Sequence, residues 1–373
     1  MDFSFNETQQ EVQQLAQKIL SEMANQDRLN KIDQQDIRFD QSLWDQLAES
    51  GLLGVAIDEN YSGMGFGFTE LCLFIEEVGK TVAPVPVVPV LVGAAMPIQA
   101  FGTAEQKAQW LPAIASGTTL VTAALVESFS QQVQSTLTTL QPQGNNFVLN
   151  GSKIAVAFAE QSKAIVVNAQ LNGQEVLLIL EPTRKGVTLQ AQDSTTYEPW
   201  YQIDFDQVEI TQQDILSQDA EAASWLADRV TTALCALQTG VVDAAMKITA
   251  EFTCERVQFD VPIGSFQAVQ HRVADCFIDH TCLKLTTYQA VSLLDTDKSA
   301  TNEVLIAKIW AGDTGHRVSY AAQHLHGGTG IDKDYHLWRY CLLARQNEML
   351  FGSSAFLLSN LGERIAEGKA YAE

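Results

Sequence analysis

The stretch EAASWLADRVTTALCALQTGVVDAAMKITAEFTCERVQF, Glu221 to Phe259, decides how the rest of the chain is read. Apolar residues recur through it at three- and four-residue spacing, with Gly240 almost its only breaker, so the pattern predicts one long helix. The residues before it read differently. From about 119 to 215 the chain carries short β-rich runs, FVLNGSKIAVAF, KAIVVNAQ, EVLLILEP and WYQIDFDQVEI, separated by turns at GNN, LNGQ and TRKG. Residues 1 to 118 show helical spacing again in LWDQLAES, TELCLFIEEVGK and AEQKAQWLPAIASG, broken by Gly and Pro clusters at YSGMGFGF and VAPVPVVP. The expected fold is therefore α+β and multidomain. An N-terminal α-helical domain spans 1–118, a middle antiparallel β domain 119–215, and a C-terminal α-helical bundle 216–373.

Length and composition agree with that division. A chain of 373 residues exceeds what one compact core usually serves, and 46% hydrophobic with 18% charged residues is an ordinary globular balance. A formal charge of −22 would repel phosphate backbones and anionic membranes, so nucleic acid is not an expected partner. Any anionic ligand must meet locally placed Arg, Lys or helix N-termini. The six cysteines show no CxxC and are expected to be buried, reduced thiols. The opening MDFSFNETQQEVQQLAQKIL reads as a capped amphipathic helix, with Asn6 or Thr8 as the cap, and not as a secretory leader. No apolar run approaches about 20 residues, so no membrane span is predicted and the cytoplasm is the expected location.

At this point particular residues carry a resemblance. GLLGVAIDENYSGMGFG, followed by FIEEVGK, and FGTAEQKAQWLPAIASG resemble N-terminal segments of the acyl-CoA dehydrogenase family. ERVQFDVPIGSFQAVQHRVAD is similar to its Arg-x-x-Phe-Gly-x-Pro-Ile-x-x-x-Gln segment, and HLHGGTGI to its Gly-Gly-x-Gly loop. The resemblance runs from roughly residue 44 to 360. It implies FAD held between a β domain and a helical bundle, an acyl-CoA substrate, and an electron-transfer flavoprotein or similar acceptor. It also implies a neighbouring subunit that supplies a cationic clamp for the flavin pyrophosphate. Arg256 takes the clamp position, where a planar guanidinium can donate two hydrogen bonds to phosphate oxygens. Phe266 and Gln267 align with flavin-nucleotide contacts. Gly327 and Gly328 let the backbone approach the cofactor, and His324 stands where the family has Gln before the Gly pair.

The same alignment shows departures. The family's Thr-Glu-Pro-x-x-Gly-Ser-Asp loop is here VESFSQQ, which keeps only Glu127 and puts Val126 where a hydroxyl would donate. Ala155, Val156 and Ala157 replace an aromatic, a β-branched residue and a Thr that face the flavin. Asp260 replaces a Gly and Ile331 an aromatic. Dehydrogenation also needs a carboxylate to take the α-proton, and the family base immediately precedes the Gly that aligns with Gly352. That position is Phe351, which cannot accept a proton. The alternative family base position, on the long helix, is Val230. No catalytic residue is therefore assigned.

Two readings stay open. One is a subunit without its own base, completing the flavin site of a homologous acyl-CoA dehydrogenase partner in a hetero-oligomer, as in bacterial assemblies that act on steroid-derived acyl-CoAs. The other is a self-sufficient homo-oligomeric enzyme that uses Glu348, three residues before Phe351, or Asp228. No metal site is expected from His324 and His326, read as lying in a Gly-rich loop, and no Gly-x-Ser-x-Gly elbow supports hydrolase chemistry. Met349, Phe351 and Phe356 are read as core.

Overall fold

Asn6 opens the first helix. Its side chain accepts from the Gln9 amide at 2.9 Å while the Gln9 side chain accepts from the Asn6 amide at 3.0 Å, a reciprocal box that places the cap on Asn6 and not Thr8. The computed structural model describes residues 4–128, 130 and 136–369. Within them α1 (Glu7–Met23), α2 (Gln26–Ile32), α3 (Gln41–Glu49) and α4 (Phe68–Thr81) precede a π-helical stretch at Val88–Ala95, then α5 (Met96–Phe101) and α6 (Ala104–Ala115).

Strands follow: β1 (Val121–Ala124), β2 (Thr139–Gln143), β3 (Asn146–Ala157), β4 (Ala164–Leu171), β5 (Gln174–Leu180), β6 (Val187–Gln192), β7 (Trp200–Ile210) and β8 (Ile215–Ser217). They form one sheet in the order β6-β7-β3-β2-β4-β5-β8, with β1 paired to β4. The sheet is mixed, not wholly antiparallel as expected. β1 runs parallel to β4 from Val121↔Ala164 to Ala124↔Val167, and β2 meets β4 in parallel at Thr139↔Gln170. Parallel pairing needs a long connection, and the β2–β3 hairpin lies between β1 and β4 in sequence. Alternate strand residues, among them Leu149, Val167, Leu178, Ile203 and Val208, make the sheet's core.

Five long helical elements complete the chain: α7 (Ala222–Glu255), α8 (Gln267–Asp295), α9 (Thr301–His326), α10 (Leu337–Met349) and α11 (Ser354–Ala366). A short hairpin, β9 (Val257–Gln258) with β10 (Val261–Pro262), separates α7 from α8. Its tip residues Phe259 and Asp260 have φ of 54° and 62°, the pair of left-handed conformations that closes a two-residue hairpin. That conformation explains why Gly suits position 260, and Asp is among the side chains that tolerate it.

The chain divides into two compact units. A helical unit takes Met1–Arg28, Cys72–Ala83 and Thr231–Glu373, and a sheet unit takes Leu29–Leu71 and Pro84–Val230. In the helical unit α7 and α4 touch backbone to backbone. A Cβ on Gly240 would sit 1.9 Å from the Glu76 carbonyl oxygen, and one on Gly79 would sit 2.2 Å from that of Leu237. The residue that looks like a weak point in the helix is therefore its point of closest contact.

Three expectations need correction. Cys254 is exposed and Cys282 half-buried, because the cysteines follow no single face of their helices. Met349 is 63% exposed at the end of α10, and Phe351 and Phe356 are half-buried, so this segment is not simply core. His324 and His326 lie on the last turn of α9, not in a loop, since the helix continues to the first Gly. Among the described residues no helix is long and apolar enough to cross a membrane.

Gly240→Ala should lower the stability of the full chain by about 3 kcal/mol or more, because the new methyl meets fixed backbone. Urea titration followed by far-UV circular dichroism measures this. An unchanged midpoint would mean that the crossing can open without cost.

Candidate functional site

In the helical unit, Arg256 follows the last residue of α7 and fastens the hairpin. Its amide donates to the Phe252 carbonyl and its own carbonyl accepts from the Ile263 amide, each at 2.8 Å. The side chain is left exposed. Phe266 then takes the N-cap position of α8 without a side-chain cap, so the positive end of a 29-residue helix lacks one. Phe266 is 37% exposed and stands edge-on to Phe259 with ring centroids 6.2 Å apart, and Gln267 beside it is exposed. Arg256, Phe266 and Gln267 thus share one short, outward-facing segment.

The end of α9 adjoins it. His326 is buried, stacked on Phe252 at 4.1 Å between centroids, with Nδ1 at 2.8 Å from the Ala322 carbonyl and Nε2 at 3.2 Å from the Tyr335 hydroxyl. Burial holds its pKa below the usual histidine value. His324 is exposed and stacks on Tyr320 at 6.3 Å. Gly327 has φ 59° and ψ −133°, which its lack of a Cβ permits. A Cβ on Gly327 or Gly328 would meet nothing within 4 Å, so both present bare backbone to open space. Packing requires glycine instead at Gly330, where a Cβ would lie 2.8 Å from the Gln323 carbonyl oxygen. Ile331 is 72% exposed.

The segment Glu348–Gly352 leaves α10 through a turn. Phe351 has φ 57° and Gly352 φ 104°. Glu348 does not reach into that turn with its carboxylate: Arg345 Nη1 donates to Glu348 Oε2, and His316 Nδ1 lies 3.6 Å from the same oxygen. Val230 and Asp228 lie on α7 in the sheet unit, Val230 buried and Asp228 half-buried. Among the described residues no group of three or more His, Cys, Asp and Glu side chains could hold a metal ion.

The sheet unit holds a polar cluster around Glu127. Its Oε1 accepts from Lys153 Nζ at 2.7 Å, from the Thr138 amide at 3.0 Å and hydroxyl at 2.7 Å, and from the Thr136 hydroxyl. Its Oε2 accepts from the Leu137 amide. Lys153 is fully buried and also donates to Thr136 Oγ1 and Asn168 Oδ1, both at 2.7 Å. Glu175 accepts from the Thr136 amide at 3.2 Å. Burial would raise the Glu127 pKa, but the Lys153 ammonium and the hydroxyl donors outweigh it and bring it to about 2. Burial lowers Lys153 to about 8, against the pull of Glu127, so the pair is ionised at neutral pH. The cluster ties both flanks of the VESFSQQ segment to β3, while Phe129, Gln131 and Gln132 lie outside the described residues.

Close by, the Val126 carbonyl accepts from the amide of Ile154 on β3 at 2.9 Å. Ala155 sits at φ 53° in an irregularity between Lys153 and Val156, its amide bonded to Gln192 Oε1 at 2.9 Å. Val156 and Ala157 pair with Tyr201 and Trp200. No side chain at 126, 155 or 157 offers a donor.

Comparison with known proteins identifies the family. Residues 6–118 match the family description "Acyl-CoA dehydrogenase, N-terminal domain" and residues 223–366 match "Acyl-CoA dehydrogenase, C-terminal domain". The chain belongs to the acyl-CoA dehydrogenase family. It is 31% identical to acyl-CoA dehydrogenase FadE27 of Mycobacterium tuberculosis, over 99% of this chain and all of that one. Among solved structures it resembles a variant of the Tcur3481-Tcur3483 steroid ACAD, at 36% identity and TM-score 0.93, covering 98% of this chain and 99% of that one. It also resembles the ChsE4-ChsE5 complex from Mycobacterium tuberculosis, at 30% identity and TM-score 0.94 with the same coverage.

Within this acyl-CoA dehydrogenase family chain, motif reading missed two buried lysines, Lys153 and Lys308. Lys308 interrupts the apolar run VLIAKIW and Lys153 opens the apolar run of NGSKIAVAF, which was the available signal.

Glu127→Gln leaves Lys153 buried without its counter-charge and should cost about 3–5 kcal/mol near neutral pH. Because the folded pKa of Glu127 is depressed to about 2 from 4.5, its contribution is present above pH 4.5 and is lost as pH falls toward 2. The stability gap between the native chain and Glu127→Gln should therefore narrow over that window. Denaturant titrations at several pH values test it, and a gap that stays constant would contradict the assignment.

Proposed function

We propose that this chain is the base-less subunit of a hetero-oligomeric, FAD-dependent acyl-CoA dehydrogenase, paired with a homologous subunit that carries the base. The observation that carries this reading is the turn after α10, where Phe351 stands at the position of the acid and Glu348 is engaged by Arg345. A phenyl ring cannot take the α-proton of an acyl-CoA, and a carboxylate held on a neighbouring guanidinium one helical turn back is poorly placed to do so. Two of the solved relatives are described by paired names, Tcur3481-Tcur3483 and ChsE4-ChsE5, which is the organisation the reading requires.

The cofactor reading rests on the chain's own groups. The exposed Arg256, the uncapped end of α8 and the bare backbone at Gly327 and Gly328 fit an anionic dinucleotide. Arg256 would hold the pyrophosphate by charge-assisted hydrogen bonds, with Phe266, Gln267 and His324 lining the nucleotide. When bound, FAD supplies the hydride acceptor for α,β-dehydrogenation. The apolar side chains of Val126, Ala155 and Ala157 give the sheet unit no donor for a flavin ring, which favours a flavin site completed with the partner's groups over one made by this chain alone. An electron-transfer flavoprotein or similar carrier would take the electrons onward. No observation favours Glu348 or Asp228 as a base in a self-sufficient enzyme.

Arg256→Ala should weaken FAD affinity of the assembly roughly ten- to a hundredfold, from the loss of charge-assisted hydrogen bonds worth about 1.5–3 kcal/mol. Unchanged flavin occupancy at limiting FAD would count against the clamp. The chain purified alone should turn over no short, long or steroid-derived acyl-CoA with an artificial electron acceptor, and activity should appear on co-expression with its homologous partner. Turnover by the chain alone that Glu348→Gln abolishes would overturn the reading.

A further inference from the structure

Lys308 lies on α9 and is 1% exposed. Its Nζ donates to three backbone carbonyls: Asn347 O at 2.8 Å, Glu348 O at 3.2 Å and Gly352 O at 3.3 Å. Three N–H groups meet three acceptors, which exhausts the donors of an ammonium. The first two acceptors are at the C-terminal end of α10, where the negative end of the helix dipole favours a cation. The third lies beyond Phe351, so the two sides of the turn converge on one nitrogen. Within that turn Phe351 holds φ 57°, a conformation a phenylalanine keeps only where its surroundings impose it. Neighbouring contacts hold α10, and Ser354 Oγ donates to the Ile309 carbonyl at 3.3 Å on the far side of the turn. Asn347 Nδ2 donates to Gln238 Oε1 at 3.0 Å, and Gln238 Nε2 in turn donates to the Ala311 and Ala344 carbonyls at 3.3 Å.

We propose that Lys308 is the positioning residue for this turn: its ammonium, and not the side chain at 351, sets the left-handed backbone that presents residue 351. The clasp uses backbone acceptors alone, so the same backbone would be offered whether an acid or a phenyl ring stood there. This inference does not depend on whether the chain is catalytically silent. The titratable groups that face Lys308 are the Cys235 thiol on α7, pushed up to about 12 by burial, and Glu348 on α10, itself engaged by Arg345. Burial brings the ammonium down to about 8, so it should lose a proton, and one of its three donors, over a mildly alkaline range.

The test is amide hydrogen exchange on the full chain, following the peptide that covers residues 348–353, with rates corrected for intrinsic exchange. In Lys308→Met this peptide should lose protection by about tenfold or more, and by a larger factor than peptides from the core of the sheet unit, because the three carbonyls lose their shared donor. In the native chain the protection of the same peptide should fall as pH is raised from about 7 to about 9.5, and in Lys308→Met it should not respond. Equal protection in the two proteins, or native protection that is flat across that pH range, would overturn the proposal. If Lys308→Met fails to fold, the pH profile of the native chain decides alone.

Discussion

A charge taken out of water has to recover its hydration from protein groups, and that constraint shapes both units of this chain. At Lys153 the ammonium is met by Glu127, Thr136 and Asn168, and the same carboxylate gathers the amides of Leu137 and Thr138. At Lys308 three carbonyls converge on one nitrogen. At Glu76, which is 1% exposed, Lys284 at 3.0 Å and the Tyr288 hydroxyl at 2.7 Å tie α4 to α8. Burial alone would raise the Glu76 carboxyl, but Lys284, Lys80 and Tyr288 bring it below its usual value. In each case partners come from other elements of the fold, so satisfying the charge also ties segments together.

Backbone conformation does comparable work. The hairpin tip at Phe259 and Asp260, the bulge at Ala155 and the turn at Phe351 all hold non-glycine residues at positive φ. The tip leaves Phe259 88% exposed beside Val257 and Phe266. An apolar projection of this kind suits burial against another protein surface. The turn after α10 thus holds an apolar residue, Phe351, at positive φ.

The sequence by itself determined the helix, strand, helix zoning, because hydrophobic periodicity is a local property that survives without tertiary context. It also determined the family, through ordered motifs around Arg256, Phe266, Gln267 and the Gly327–Gly328 pair. It could not distinguish the glycines of that loop, since Gly327 answers to its own φ, Gly330 to a carbonyl of Gln323, and Gly328 to neither. Nor could it tell that Glu348 is engaged by an arginine one turn away, that the β1–β4 pairing is parallel, or that Lys153 and Lys308 are buried. Those facts depend on which groups meet after the chain has folded, and a lysine reads the same in sequence whether its ammonium faces water or three carbonyls.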